Sequence, residues 1–167
     1  MIKTYIKKLS VFTVLLIAFS SCNIERLESA QETAEGGGTI DTFTAYTIDS
    51  SDPTGSNVYG RIVFWKTDLD QTLVQISLYN TIDDILHPAI LVDGAAGVGT
   101  TTLMTLDEVD GSTGELSDNK FFLISDTAFY DSISVLDAHV SISLSPSDDT
   151  IVAMGDIGAN ADPVDSN

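Results

Sequence analysis

Apolar and polar residues alternate with period two along most of the chain from Thr39 onward. Val58, Gly60, Ile62 and Phe64 alternate with Tyr59, Arg61, Val63 and Trp65. Val74, Ile76 and Leu78 alternate with Gln75, Ser77 and Tyr79. Val140, Ile142 and Leu144 alternate with Ser141, Ser143 and Ser145, the cleanest half-buried strand in the chain. Successive strand side chains point to opposite faces, so each apolar set marks a face that seeks a core. Residues 40–48, 87–92, 101–106, 121–125 and 150–156 complete the set of expected strands. Turn chemistry separates them, at Asp52-Pro53-Thr54-Gly55, Asp68-Leu69-Asp70, Asp110-Gly111-Ser112-Thr113-Gly114 and Pro146-Ser147-Asp148-Asp149. Only residues 126–136 suggest a short helical segment. Seven or eight short strands at this spacing predict an all-β domain over residues 39–160, an antiparallel sandwich or barrel. Its core is expected to hold Ile62, Phe64, Val74, Ile76, Leu78, Val140, Ile142 and Leu144.

The first 22 residues follow another rule, MIKTYIKKLSVFTVLLIAFSSC. Lys3, Lys7 and Lys8 precede an apolar run from Leu9 to Phe19. A membrane-spanning helix needs about 20 apolar residues. A run roughly half that long, behind a basic start, is the pattern of a signal peptide. Phe19-Ser20-Ser21-Cys22 resembles a bacterial lipobox, which implies cleavage before Cys22 and acylation of that residue. The alternative is an ordinary secretory signal with an incidental Cys beyond the cut. The expected organisation is a signal peptide over 1–21, a flexible acidic and Gly-rich tether over 22–38, and a frayed tail over 161–167. Localisation follows as lipid-anchored in a bacterial envelope, at the outer membrane.

Charge narrows the function. The chain has 25 acidic residues against seven basic ones. Removing residues 1–21 takes away three lysines and no acid, leaving four bases and a formal charge of −21. That field repels phosphate backbones, so no nucleic-acid partner is expected. A single Cys excludes disulfides within the chain and thiolate-cluster metal sites, and two His exclude a three-His centre.

Several segments resemble the chordin-type (CHRD) domain family. Val58-Tyr59-Gly60-Arg61-Ile62-Val63-Phe64 and residues 72–78 are similar to its opening strand pair. His87-Pro88-Ala89-Ile90-Leu91-Val92 is similar to a degraded His-Pro-Ala-His-Ile-His stretch. Residues 106–114, 137–144 and 151–160 follow in family order. The resemblance implies a Greek-key β-sandwich like that of copper/zinc superoxide dismutase, often in lipoproteins. It also implies metal ligands that this chain lacks. Ile90 and Val92 stand where relatives carry a His-x-His pair, and Ser143 stands at another position that is often His. Only His87 remains of that set, so no metal and no cofactor are expected.

Other candidates are weaker. His87 precedes Pro88 and is either a hydrogen-bonded structural residue or an exposed one. His139 alternates with Val140 and is expected to face solvent. Asp68, Asp70, Asp107, Glu108 and Asp110 could offer oxygen to calcium, but they miss the twelve-residue loop pattern. No Gly-x-Ser-x-Gly elbow occurs, and the Gly94-Ala95-Ala96-Gly97-Val98-Gly99 loop lacks the Lys of a phosphate cradle. Tyr59, Trp65 and Tyr79 fall on one face opposite the core, where they could bind a protein or a glycan. These features together predict a lipid-anchored, non-enzymatic interaction or structural module. The alternative is a metal-binding or dismutase-like envelope protein.

Overall fold

The computed structural model describes residues 40–165; Cys22, the expected signal peptide and the expected tether lie outside the described residues. Within that span the chain is all-β and antiparallel. Its strands are β1 (Phe43–Ser50), β2 (Tyr59–Lys66), β3 (Thr72–Tyr79), β4 (Leu86–His87), β5 (Ala89–Asp93), β6 (Thr102–Thr105), β7 (Val109–Asp110), β8 (Glu115–Leu116), β9 (Phe122–Ile124), β10 (Asp137–Ser145) and β11 (Asp148–Gly158). One helical turn, α1 (Phe129–Ser132), runs into a 3-10 turn at Ile133–Val135.

The strands form one continuous curled sheet in the order β4-β7-β8-β3-β2-β1-β11-β10-β5-β6, with β9 added beside β3. β1 joins the two halves. Phe43 through Ile48 pair with β2, and Asp49 and Ser50 pair with β11. The sheet curls around its own apolar face. Ile62, Phe64, Val74, Ile76, Val140 and Ile142 are fully buried there, with Tyr46, Ile48, Leu91 and Ile157 from the other strands. Leu144, expected in the core, is only half-buried, because the β10–β11 register slips at Ser143.

Eleven strands in one sheet, curled into a half-barrel, replace the sandwich of seven or eight strands that was expected, because β1 pairs with both β2 and β11 and so joins the two strand groups into a single sheet. Pro88 lacks an N–H for the ladder, so the expected strand at 87–92 divides into β4 and β5. β7 and β8 are two residues each, on either side of the turn at 110–114. A two-residue strand shows no alternation, so the pattern did not reveal them. Asn57, Asp70, Asn80 and Asp84 hold positive φ in the connections, the residue types that tolerate that region best. Past Asn160, where fraying was expected, the Val164 N–H donates to the Ala45 carbonyl at 2.8 Å.

Candidate functional site

Two surfaces hold the residues singled out above. The first is the outward face of β1, β2 and β3. Phe43 pairs with Trp65 and Trp65 with Leu73, so these three share that face at one end of the strands. Tyr59 pairs with Tyr79 at the other end. Within each pair the rings meet: Phe43 and Trp65 at 4.9 Å between centroids, Tyr59 and Tyr79 stacked at 5.3 Å. Trp65 is oriented by its indole N–H, which donates to Gln75 Oε1 at 3.2 Å. Tyr59 and Tyr79 are 43% and 57% exposed, which leaves their outer ring faces open to solvent. Leu123, exposed beside Leu73, extends the first stack. Two cross-strand pairs, Arg61 with Ser77 and Val63 with Gln75, separate the two stacks, and Val63 is buried. The three aromatics predicted from sequence therefore share a face but form two platforms. Trp65 is six strand positions on from Tyr59, or about 20 Å along the strand.

The second surface is the outward face of β5, β10 and β11. In register, Val92 sits opposite His139 and Ile90 opposite Ser141. On its other side, His139 sits opposite Asp156 and Ser141 opposite Met154. The loop at residues 94–101 closes over one end and leaves a groove of about 250 Å³. Ile90, Val92, Ile151 and Met154 line its walls, and His139 and Ser141 line it from β10.

His139 was expected to face solvent and does not. Its ring is 2% exposed, and its Nδ1–H donates to the Gly94 carbonyl at 2.8 Å. The alternation was right about the face, but it carries no information about a loop that covers that face. Two carboxylates hold the same loop. Asp93 Oδ1 accepts the N–H groups of Thr100 and Thr101 at 3.1 and 2.8 Å. Asp156 Oδ1 accepts the Ala96 N–H at 2.6 Å. The Thr101 amide bond is the main reason the Asp93 carboxyl is held below its ordinary range, with Thr100 and the nearby His139 adding to it.

A group with a depressed folded pKa keeps its contribution above its ordinary pKa and loses it as pH falls through the depressed value. The Thr101 amide proton shift is therefore expected to titrate with a midpoint below the ordinary aspartate value of about 3.9. A midpoint at or above that value would show that Asp93 does not clamp the loop.

His87 proves to be structural. It is fully buried, its Nδ1–H donates to the Ser143 carbonyl at 3.2 Å, and its Nε2 accepts the Ile82 N–H at 3.5 Å. Both ring nitrogens are occupied by backbone, which leaves none for a metal. Among the described residues no three His, Cys, Asp or Glu side chains group closely enough to hold a metal ion. The turn acids serve locally: Asp110 Oδ1 accepts the Ser112 N–H, and Asp70 lies 3.6 Å from Lys66. Lys66 also holds Asp131 at 2.7 Å, and that bond is the main cause of the raised pKa of its ammonium.

No family model, curated protein or solved structure matches the chain.

Proposed function

We propose that this chain is a lipid-anchored, non-catalytic binding module of the bacterial envelope. It is held at the outer membrane through acylated Cys22, and it engages a neutral glycan strand on the outward face of β1, β2 and β3. The observation that carries this reading is the pair of aromatic platforms on that face, exposed Tyr59 on Tyr79 and exposed Phe43 on half-buried Trp65. Tyr and Trp offer large apolar ring faces at low entropic cost, and exposed apolar patches rimmed by polar groups mark interaction sites. Two platforms about 20 Å apart along the strands suit an extended chain rather than a small molecule. The charge of −21 beyond residue 21 disfavours anionic polymers and leaves neutral ones as the matching class. The CHRD-like resemblance belongs to the same proposal, and its support is the order of the similar segments along the chain.

The test has two arms. The combined Tyr59→Ala, Trp65→Ala and Tyr79→Ala variant is expected to lose at least about tenfold in retention on insoluble neutral polysaccharide, with its melting temperature little changed. Equal retention by the variant and the parent would refute the glycan assignment. Cys22→Ala is expected to release the protein from the membrane fraction or leave it uncleaved. Normal processing and membrane association of that variant would refute the anchor.

A further inference from the structure

The groove over β5, β10 and β11 carries an inference independent of the aromatic face. Its lining combines two nearly buried polar side chains with an apolar wall. His139 is 2% exposed and Ser141 4% exposed, at successive outward positions of β10. The His139 Nδ1 proton is committed to the Gly94 carbonyl, so the neutral ring presents Nε2 as an acceptor. Nε2 has no partner among the described residues, and neither does the Ser141 hydroxyl. Neither atom is sealed inside the protein; both side chains line the groove. Two adjacent polar groups converging in an otherwise apolar groove are the pattern of a small-molecule site, and they point to a ligand group that bonds both.

The chemistry around these two atoms restricts that group. No Lys or Arg lines the groove, so an anion finds no counter-charge. No carboxylate lines it either; the nearby Asp93 and Asp156 oxygens accept loop N–H groups. A hydroxyl fits, because it donates one proton to Nε2 while accepting from the serine. The walls of Ile90, Val92, Ile151 and Met154 call for a compact apolar body, and about 250 Å³ accommodates a single substituted ring.

We propose that this groove binds a small uncharged alcohol of the phenol class, its hydroxyl bridging His139 Nε2 and Ser141 Oγ and its ring against Ile90, Val92, Ile151 and Met154. The loop at 94–101 closes the open end of the site, with His139 joining ligand and loop through its two ring nitrogens.

The chain contains two histidines, which makes the test direct. The full chain, ¹⁵N-labelled at histidine and held in lipid nanodiscs, is titrated with p-cresol, with toluene as the control that lacks the hydroxyl. The His139 Nε2 resonance is expected to move saturably with p-cresol. His87, both of whose nitrogens are bonded to backbone, is expected to stay still. Ser141→Ala is expected to weaken p-cresol binding about five- to tenfold, the worth of one hydrogen bond. Three results would overturn the proposal: an unmoved His139 resonance, an equal response to toluene, or parallel shifts of both histidines.

Discussion

Phe64→Ala is expected to destabilise the domain by about 3–5 kcal/mol, the range for truncating a buried aromatic. Phe64 stands at the centre of the curled sheet, fully buried on β2. Its ring meets Tyr46 edge-on at 6.3 Å and Phe129 of α1 at 6.1 Å. Truncation removes both contacts and leaves a cavity that the surrounding strands, tied by their ladders, cannot close. Single domains have only about 5–15 kcal/mol of stability in all, so the loss is a large share. Chemical denaturation measures it as a lower midpoint at unchanged slope. The companion substitution Tyr59→Ala removes a half-exposed ring from the opposite face of the same strand and is expected to cost about 1 kcal/mol or less. A Phe64→Ala loss no larger than that of Tyr59→Ala would show that the assignment of faces is wrong.

Gly158→Ala is the second large effect. Gly158 ends β11 with φ of +64°, a region that costs an L-residue about 1–2 kcal/mol. A Cβ there would also press on the backbone carbonyls of Leu136 and Ile133. Backbone cannot rotate away as a side chain does, and the Leu136 carbonyl already accepts the Ala159 N–H at 2.9 Å. The expected loss is about 2–4 kcal/mol, read by thermal unfolding. Gly97→Ala separates the two causes. Gly97 has φ of +77° but nothing within 4 Å of its would-be Cβ, so only the backbone term applies. Equal losses at the two sites would show that the clash at Gly158 is relieved by movement of the helical turn.

The strands with several alternating residues were legible because burial on one face imprints period two on the sequence. Val140 and Ile142 show this most clearly, and both are fully buried. The division at Pro88 follows from the missing N–H, although the apolar run 87–92 masks it. β7 and β8 were not legible because a turn and a single cross-strand step hold them, not a repeated pattern. Tyr59, Trp65 and Tyr79 were rightly placed on one face, since alternation reports faces well. The division into two platforms depends on which strand residues pair, and Phe43 joined the set only through its register with Trp65. The groove was invisible for a related reason. His139 reads as outward, and the covering loop belongs to a distant part of the sequence. The available signal was a Gly-rich loop flanked by Asp93 and two threonines, whose N–H groups need acceptors.

On the proposed function, the outward face of β1, β2 and β3 binds neutral glycan. The chain has a single tryptophan, Trp65, and it stands on that face. Titrating the protein with soluble neutral oligosaccharides while following tryptophan emission therefore reads the surface directly. The proposed function predicts a saturable change in Trp65 emission that grows with oligosaccharide length, as the second platform at Tyr59 and Tyr79 is reached, and that loses its length dependence in the Tyr59→Ala, Tyr79→Ala variant. Emission that stays constant across neutral oligosaccharides of every length tested would contradict it.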